Sequence, residues 1–376
     1  MTKPSPIRVL NVIGAMDRGG AETLVMNLYR NIDRNLIQFD FLVNETRECD
    51  YDQEIKSLGG RIYSIPRFTL INYPTYAKAC HEFFSTHSYR IVHGHIAFPC
   101  AIYLKEAKRI GSYTILHSHA QNYPLSPSQA IFRLVSGQGR RWADYYLACS
   151  QQAGLDRFGK EIVSGPNFHV LNNGIDTHVT RFSASSRKAV RSQLGIDSCT
   201  PLFGHVGRLT PVKNQAFLLS VFAHIKELLP NAKLALVGRG ESESELRERA
   251  AHLGISDSVL FVGVREDVPS LLSAFDVFIF PSFSEGLAIA VVEAQACGLP
   301  CLVSTGVPTL TKIGDNIVYA NLSDGAENWS KNAVEMYARG VNNRSSAFEN
   351  AIDAGFDIRS SADWISKFYL SQNTVN

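Results

Sequence analysis

The segment IGAMDRGGAETLVMNLYRN, residues 13–31, leads from a short apolar run through two adjacent glycines into a stretch with helical periodicity. A strand, a tight turn and a helix form the first half of a βαβ unit, from which parallel sheets are built. Gly19 and Gly20 indicate that a bulky group comes close to this turn. Two groups fit, a nucleotide phosphate and a second domain that closes over a ligand. The G-x-G-x-x-G spacing of dinucleotide-binding turns is missing, which favours the second domain.

The alternation of β-rich and helical segments extends along the whole chain and restarts once, near residues 176–184. Such an order predicts an α/β fold with a doubly wound parallel sheet in each half. The chain of 376 residues is also too long for one ordinary core. We therefore predict two Rossmann-like domains, residues 1–178 and 179–356. The predicted strands are IRVLNVIG, FDFLV, RIYSIP, RIVHGH, SYTILHSH, YYLACS and FHVLNN in the first domain, and PLFGHVG, AKLALVG, VLFVG, DVFIFP and PCLVS in the second.

A terminal helix is predicted over residues 357–376, beyond the strands of the second domain. Its segment SADWISKFYLS carries Trp364, Ile365, Phe368 and Tyr369 at helical spacing. An apolar stripe of this kind covers a core, and we expect the helix to pack back on the first domain.

Charge and cysteine content exclude several classes of protein. The 37 basic and 35 acidic residues leave a net charge of +2, which argues against a general nucleic-acid binder. Seven scattered cysteines without a C-x-x-C pair favour a reduced, cytoplasmic protein. The sequence has no uninterrupted run of 18 apolar residues, so we predict no membrane span and no signal peptide.

The strongest candidate site is PSFSEGLAIAVVEAQACGLP, residues 281–300. A predicted strand ends at Pro281, a loop carries Glu285 and Gly286, and a helix predicted to begin near Leu287 brings Glu293 to the same side. Free amides at a helix N-terminus bind anionic phosphate oxygens. The alternative is that both glutamates are ordinary surface charges, one of them favouring the helix dipole.

A second cluster, GHVGRLTPVKNQ, places Arg208 and Lys213 where the first strand of the second domain passes into a helix. Two cations at the carboxyl end of a strand suit a diphosphate, because open α/β sheets bind ligands at that edge. A pair of exposed charges is the simpler interpretation, but both clusters fall at strand ends of one domain.

Taken in order, the motifs resemble a known family. GGAE, NNGID, GRLTPVKN, FVGVREDVPSLLSAFDVFIFPS and the E-x7-E arrangement of Glu285 and Glu293 are similar to a retaining glycosyltransferase of family 4. The resemblance covers nearly the whole chain and is strongest to members that build bacterial capsule, exopolysaccharide and lipopolysaccharide glycans. It implies the GT-B fold, in which two Rossmann-like domains face a central cleft.

The resemblance also implies roles for particular residues. Arg208 and Lys213 would hold the diphosphate, Glu293 the ribose hydroxyls and Glu285 the transferred sugar. Val264 and Arg265 would lie against the nucleobase, and His119 would face sugar or acceptor from the first domain. The amides of Gly286, Leu287 and Ala288 would meet sugar and phosphate, while Gly19 and Gly20 would let the first domain close over the donor.

The activity implied is transfer from a nucleoside diphosphate sugar, with UDP as the expected nucleotide, onto a bacterial polysaccharide or lipid-linked glycan. Neither a metal nor another cofactor is expected, because the cations and helix amides already neutralise the diphosphate. Same-face attack, with the leaving phosphate accepting the proton, would retain the anomeric configuration without a protein nucleophile. Leu287, Ala288 and Ile313 depart from the family pattern near the sugar pocket, so the sequence does not identify the sugar.

Three other interpretations compete with this one. His93, His95, His117 and His119 form two His-x-His pairs at the ends of adjacent predicted strands and could ligate the metal of a hydrolase. A protein with this fold could also bind sugar nucleotides without catalysis. The motif DYD, residues 50–52, could chelate a donor metal, although we expect it to open a helix, and GRGE is a weak dinucleotide signal.

Residues 122–146 could form an amphipathic surface that approaches an anionic membrane and a lipid-linked acceptor. A solvated helix face explains the same pattern. We predict a cytoplasmic location. If the segment forms the amphipathic surface, the protein would attach peripherally to the inner face of the membrane. The basic and apolar residues concerned are Arg133, Arg140, Arg141, Ile131, Phe132, Leu134 and Trp142.

Overall fold

The computed structural model describes residues 5–69, 71–119, 137–340 and 344–373. The chain divides into two compact units, one formed by Met1–Gly174 with Ile358–Asn376 and the other by Ile175–Asp357. Within the described ranges, none of the helices combines the length and apolar character needed to cross a bilayer.

The first unit is built on a seven-stranded sheet in the order β3-β2-β1-β4-β5-β6-β7, in which every pair is parallel. Successive residues of a strand pack into the cores on opposite faces of the sheet. Val9 lies in one core and Leu10 in the other. Helices therefore cover both faces, as in doubly wound folds. The strands are β1 Ile7–Val12, β2 Ile37–Val43, β3 Ile62–Ser64, β4 Ile91–Gly94, β5 Tyr113–Ser118, β6 Tyr145–Ala148 and β7 Phe168–Val170.

The terminal helix Ile358–Asn373 belongs to the first unit. Ile365 and Tyr369 are buried in the same core as Val9, and Trp364 stacks on His169 with ring centroids 3.8 Å apart. The other helices of this unit are Gly20–Asn31, Asp52–Ser57, Tyr73–Thr86, Cys100–Arg109, Gln151–Phe158 and Lys160–Val163, with the 3-10 helix Gln138–Trp142.

The second unit contains a six-stranded sheet in the order β10-β9-β8-β11-β12-β13, again with every pair parallel. Its strands are β8 Leu202–Val206, β9 Lys233–Val237, β10 Val259–Gly263, β11 Val277–Phe280, β12 Cys301–Ser304 and β13 Ile317–Ala320. Its helices are Ala184–Gln193, Gln215–Leu228, Glu243–His252, Val268–Ala274, Ile289–Ala296, Gly325–Arg339 and Phe348–Asp353, with 3-10 helices Pro211–Lys213, Ser256–Ser258, Thr309–Thr311, Leu322–Asp324 and Arg344–Ser346.

Two details differ from the sequence-based expectation. The edge strand β13 was not predicted, because it is exposed on one side at Val318 and its apolar pattern is weak. The second unit begins at Ile175, four residues before the predicted boundary at 179. Ile175 N–H donates to Phe356 O at 2.7 Å and Thr177 Oγ1 donates to Asp357 Oδ1 at 2.8 Å, which holds this segment in the second unit.

Candidate active site

The switch point of the second sheet lies between β8 and β11. These strands are neighbours, yet β9, which follows β8 in the chain, lies on the other side of β8. Arg208 follows β8 and is exposed, and Glu285 lies in the loop after β11. Both predicted clusters therefore lie at the carboxyl edge of the sheet where connections diverge, which is the usual ligand position in open α/β sheets.

Glycines bring the loops after β8 and β9 into direct contact. A side chain at Gly240 would overlap the carbonyl oxygen of Leu209, and Gly238 has a φ of 134°, which favours glycine. Leu209 N–H donates to Arg239 O at 2.9 Å, and Ser242 N–H donates to Leu209 O at 3.0 Å. The glycines of the GRGE motif thus shape the backbone beside Arg208.

A buried polar pair also fixes the loop that carries Arg208. His205 Nδ1 lies 3.0 Å from Ile279 O, and its Nε2 lies 3.2 Å from Gln215 Nε2. Gln215 Nε2 also donates to Arg208 O at 2.8 Å. Burial lowers the pKa of His205 to about 4, so the imidazole is neutral near pH 7. The network was not predicted, since its signal in the sequence is a single histidine inside an apolar strand.

Lys213 and Glu285, predicted to contact different parts of the donor, contact each other. Lys213 Nζ lies 2.6 Å from Glu285 Oε1, and the two side chains are only 17% and 10% exposed. Lys213 Nζ also lies 5.0 Å from the ring centroid of Phe280. A bound diphosphate would therefore meet a cation that already has a carboxylate partner.

The loop that carries Glu285 is tied to its neighbour after β12. Ser282 Oγ donates to Glu285 Oε1 at 2.5 Å, and Glu285 N–H donates to Gly306 O at 3.1 Å. A side chain at Gly306 would overlap the carbonyl oxygen of Phe283. Ser282 and Gly306 are positioning residues that the sequence analysis did not single out.

The helix that carries Glu293 begins later than predicted, at Ile289, with Ala288 as its N-cap. The sequence pattern placed the start near Leu287, but Leu287 and Ala288 still belong to the loop. Within the described ranges, the amides of Gly286, Leu287 and Ala288 donate no hydrogen bond. Three adjacent free donors remain available to an anion at this helix start.

Glu293 is half-buried, and its carboxyl forms no hydrogen bond or ion pair with any described residue. Burial raises the pKa of its carboxyl to about 7. A half-buried carboxylate without a partner is stabilised when a ligand donates hydrogen bonds to it, as a pair of ribose hydroxyls would.

Val264 and Arg265 directly follow β10, two strands away from β8 along the same edge. Val264 is 44% exposed. Arg265 donates to both oxygens of Asp267, each at 2.7 Å, and to Gln193 Oε1 at 3.0 Å. The guanidinium is thus held in place, while Val264 offers an apolar surface to a flat ring.

In the first unit, the switch point lies between β1 and β4, and Gly19 and Gly20 follow β1. Gly19 is the N-cap of the helix Gly20–Asn31 and has extended backbone angles, φ −130° and ψ 171°. A Cβ added at Gly20 would meet no described atom within 4 Å. The described chain therefore has room for a side chain at Gly20.

The predicted DYD helix start is confirmed, because the helix Asp52–Ser57 begins at that motif. Asp52 Oδ2 accepts a hydrogen bond from Cys49 N–H at 3.1 Å, and Asp50 Oδ2 accepts one from Arg18 N–H at 3.1 Å. The second bond ties the glycine loop to this helix start.

A cavity of about 450 Å³ opens at the carboxyl ends of β1, β2 and β4. Arg47, Arg67 and Glu45 supply the charges of its wall, and Arg47 is paired with Glu45 and with Asp17. The rings of Phe68 and Phe98, with centroids 5.4 Å apart, contribute an apolar wall. Cations beside aromatic rings suit an anionic or sugar-bearing ligand.

The four predicted histidines meet at the ends of β4 and β5. Ligating nitrogens of His93, His95 and His117 all lie within 4.8 Å of one another. His119 Nε2 lies 2.8 Å from His95 Nδ1. Burial lowers the pKa of His93 to about 3 and that of His119 to about 4, so these imidazoles are neutral near pH 7.

The predicted amphipathic segment is only partly described. Ile131, Phe132, Arg133 and Leu134 lie outside the described residues. Arg140 and Arg141 are exposed, but Trp142 packs against the core of the first unit.

Two doubly wound units, with cations, free amides and an unpaired carboxylate at the switch point of the second, define a GT-B glycosyltransferase. Residues 186–328 match the family described as Glycosyl transferases group 1, and residues 18–179 match Glycosyltransferase Family 4. EpsF of Bacillus subtilis, named as a glycosyltransferase, is 34% identical over 359 residues, which cover 93% of each chain. The chain belongs to glycosyltransferase family 4.

Two further proteins resemble this chain, and their names give different nucleotides. A GDP-mannose-dependent mannosyltransferase of Corynebacterium glutamicum, named for a phosphatidylinositol monomannoside, is 29% identical over 76% of this chain and 77% of its own. The crystal structure of Anabaena HepE in complex with UDP and glucose superposes with a TM-score of 0.76 at 20% identity, covering 97% of this chain and 100% of that one. The likeness to HepE shows the fold alone.

Proposed function

We propose that this glycosyltransferase transfers a sugar from a UDP-linked donor, with retention and without a metal, to a bacterial polysaccharide or lipid-linked glycan. The observation that carries the proposal is the set of diphosphate-binding groups at one switch point. Arg208, Lys213 and the amides of Gly286–Ala288 supply positive charge and donors there, so no cation is needed to neutralise the phosphates.

Each remaining group of the second unit has a role in donor binding. Glu293, which lacks a partner among the described residues, accepts hydrogen bonds from the ribose hydroxyls. Val264 packs on the nucleobase while Asp267 fixes Arg265 beside it. Glu285 binds hydroxyls of the transferred sugar and exchanges part of its contact with Lys213 for them.

Retention follows from chemistry that needs no protein nucleophile. The acceptor hydroxyl attacks the sugar from the face that the diphosphate leaves, and a phosphate oxygen takes its proton. Donors aimed at the departing phosphate then stabilise the transition state, and the protein contributes orientation. His119 of the first unit is assigned to the sugar or acceptor.

The choice of UDP has support from HepE, whose structure contains UDP, whereas the corynebacterial relative is named for GDP-mannose. A lipid-linked acceptor has support from the phosphatidylinositol monomannoside in that relative's name. The aromatic-walled cavity of the first unit, with Arg67 in its wall, suits a sugar-bearing acceptor.

Calorimetry with UDP, GDP and ADP in the presence of EDTA tests the nucleotide and the metal together. We expect UDP to bind most tightly and Arg208→Ala to weaken its binding at least about tenfold, the effect of one charge-assisted hydrogen bond. Arg339→Ala, which removes an exposed arginine paired with Glu335 in the helix Gly325–Arg339, is the control. Binding of UDP only after manganese is added would refute metal independence, and preference for GDP would refute the UDP assignment.

A further inference from the structure

The histidine cluster of the first unit has a geometry that the transfer reaction does not require. His93 and His95 lie at the end of β4, and His117 lies in β5. All three are held by the sheet, because β4 and β5 are paired with His93 opposite Ile115. Their rings are close: the centroids of His93 and His95 are 4.2 Å apart, and those of His93 and His117 are 5.3 Å apart.

We propose that His93, His95 and His117 bind one divalent transition-metal ion of the zinc type. Neutral imidazole is a good ligand for such ions, and three histidines with a fourth, non-protein position form an established kind of zinc site.

Oxygen atoms outside the cluster fix which nitrogens face inward. Tyr369 Oη lies 2.6 Å from His93 Nδ1, and Asn11 Oδ1 lies 3.1 Å from His95 Nε2. A ring N–H that donates to each of these oxygens leaves a lone pair on His93 Nε2 and on His95 Nδ1. Metal-bound histidines are usually oriented in this way, with the second nitrogen donating to an oxygen.

The spacing between nitrogens suits a tetrahedral ion. His117 Nδ1 lies 3.2 Å from His93 Nε2. Two nitrogens at tetrahedral positions, each about 2.0–2.1 Å from zinc, are about 3.3–3.4 Å apart. The spacing is therefore right for an ion, but the two rings, whose planes differ by 8°, must also turn so that both lone pairs point at one centre.

Two outward-facing ring nitrogens of the cluster have no hydrogen-bond partner among the described residues. His117 Nε2 and His119 Nδ1 are buried, and no described residue forms a hydrogen bond with either. Buried polar atoms are seldom left without one. An ion held by His117 Nδ1 does not bind either of these atoms, and His119 Nε2, which lies 2.8 Å from His95 Nδ1, must turn away from that lone pair when the ion binds.

The test uses the full chain, stripped with a chelator and titrated with Co²⁺, whose visible absorption distinguishes tetrahedral from octahedral coordination. We expect about one tightly bound ion per chain with a tetrahedral spectrum, and zinc in the protein as isolated. His117→Gln should lose this site, and Tyr369→Phe should weaken it roughly 10- to 100-fold. His252→Gln, at an exposed histidine of the helix Glu243–His252, is the control and should bind the ion normally.

The wild-type titration decides the matter even if His117→Gln does not fold. Binding of less than a tenth of an equivalent of Co²⁺, or an octahedral spectrum alone, would show that the histidines form a metal-free network. Either result would overturn the proposal. Retention of the tetrahedral site in a folded His117→Gln variant would overturn it as well. This test does not depend on whether sugar transfer needs a metal, because metal content is measured without substrate.

Discussion

Lys213 Nζ lies 2.6 Å from Glu285 Oε1, so the ion pair joins the 3-10 helix Pro211–Lys213 to the loop after β11. In this arrangement the cation assigned to the diphosphate neutralises the carboxylate assigned to the sugar. Donor binding must therefore share Lys213 between Glu285 and a phosphate oxygen. The two residues should be coupled in donor binding as well as in stability.

Lys213→Met should weaken UDP binding by roughly 10- to 100-fold, because it removes a charge-assisted hydrogen bond of about 1.5–3 kcal/mol. Glu285→Gln should leave UDP affinity unchanged or tighter, since it frees the cation, but should slow transfer. Calorimetry and turnover measured on both single variants and the double variant give the coupling. Lys331→Met, at an exposed pair with Glu327, is the matched control. Strictly additive effects in the double variant would contradict the shared-cation account.

Glu293 should make the stability of the second unit depend on pH. Its carboxyl has a pKa of about 7, above the value of about 4.3 for an exposed glutamate. The neutral form therefore contributes stability that is fully present below about pH 4.3 and is lost as the pH rises through 7. The raised pKa corresponds to at most about 4 kcal/mol, and the half-buried position reduces this contribution.

Glu293→Gln, a neutral side chain of the same shape, should flatten this pH dependence. Urea unfolding midpoints at pH 5 and pH 8 provide the measurement, with exposed Glu248→Gln as control. If wild type and Glu293→Gln lose the same stability between these two pH values, the carboxyl has no raised pKa in the folded protein.

The fold could be predicted from the sequence because each central strand is buried on both faces and so forms a continuous apolar run. The missed strand β13 lies at the edge of its sheet, where Val318 is 38% exposed, and this weakens the pattern. The positions of Arg208 and Glu285 at strand ends followed from the same alternation.

The pairing of Lys213 with Glu285 could not be predicted, because 72 residues separate them and their contact depends on β8 lying beside β11. Sequence periodicity does not give the order of strands within a sheet. The hydrogen bond from Gln215 to Arg208 O could not be predicted for a different reason. A single glutamine in an apolar helix gives no sign in the sequence that its side chain is buried and hydrogen-bonded.

Gly240→Ala should displace the loop that carries Arg208, since the added methyl group would overlap the carbonyl oxygen of Leu209. We expect a loss of roughly 1–3 kcal/mol in stability and weaker UDP binding. Gly165→Ala is the milder comparison, because its Cβ would lie 3.3 Å from Ile162 O, which is a tight contact but not an overlap. Thermal unfolding and calorimetry that find Gly240→Ala unchanged would show that the two loops separate at little cost.

Gly20→Val tests the sequence-based hypothesis that the glycine loop of the first unit approaches the donor during turnover. The described chain leaves room for the new side chain, so folding should be unaffected. UDP affinity should stay within a few-fold, under about 1 kcal/mol, while turnover falls roughly a hundredfold. Equal losses of UDP binding and turnover in a folded variant would make the loop a primary nucleotide site instead.

Transfer in the presence of EDTA tests the central claim most directly. A panel of UDP-, GDP- and ADP-sugars is offered with bacterial glycan acceptors, and NMR follows the anomeric proton of the product together with nucleotide release. The account predicts turnover from a UDP-sugar with retained anomeric configuration, lost in Arg208→Ala. Inversion of the anomeric centre, or turnover that requires added manganese or zinc, would contradict it.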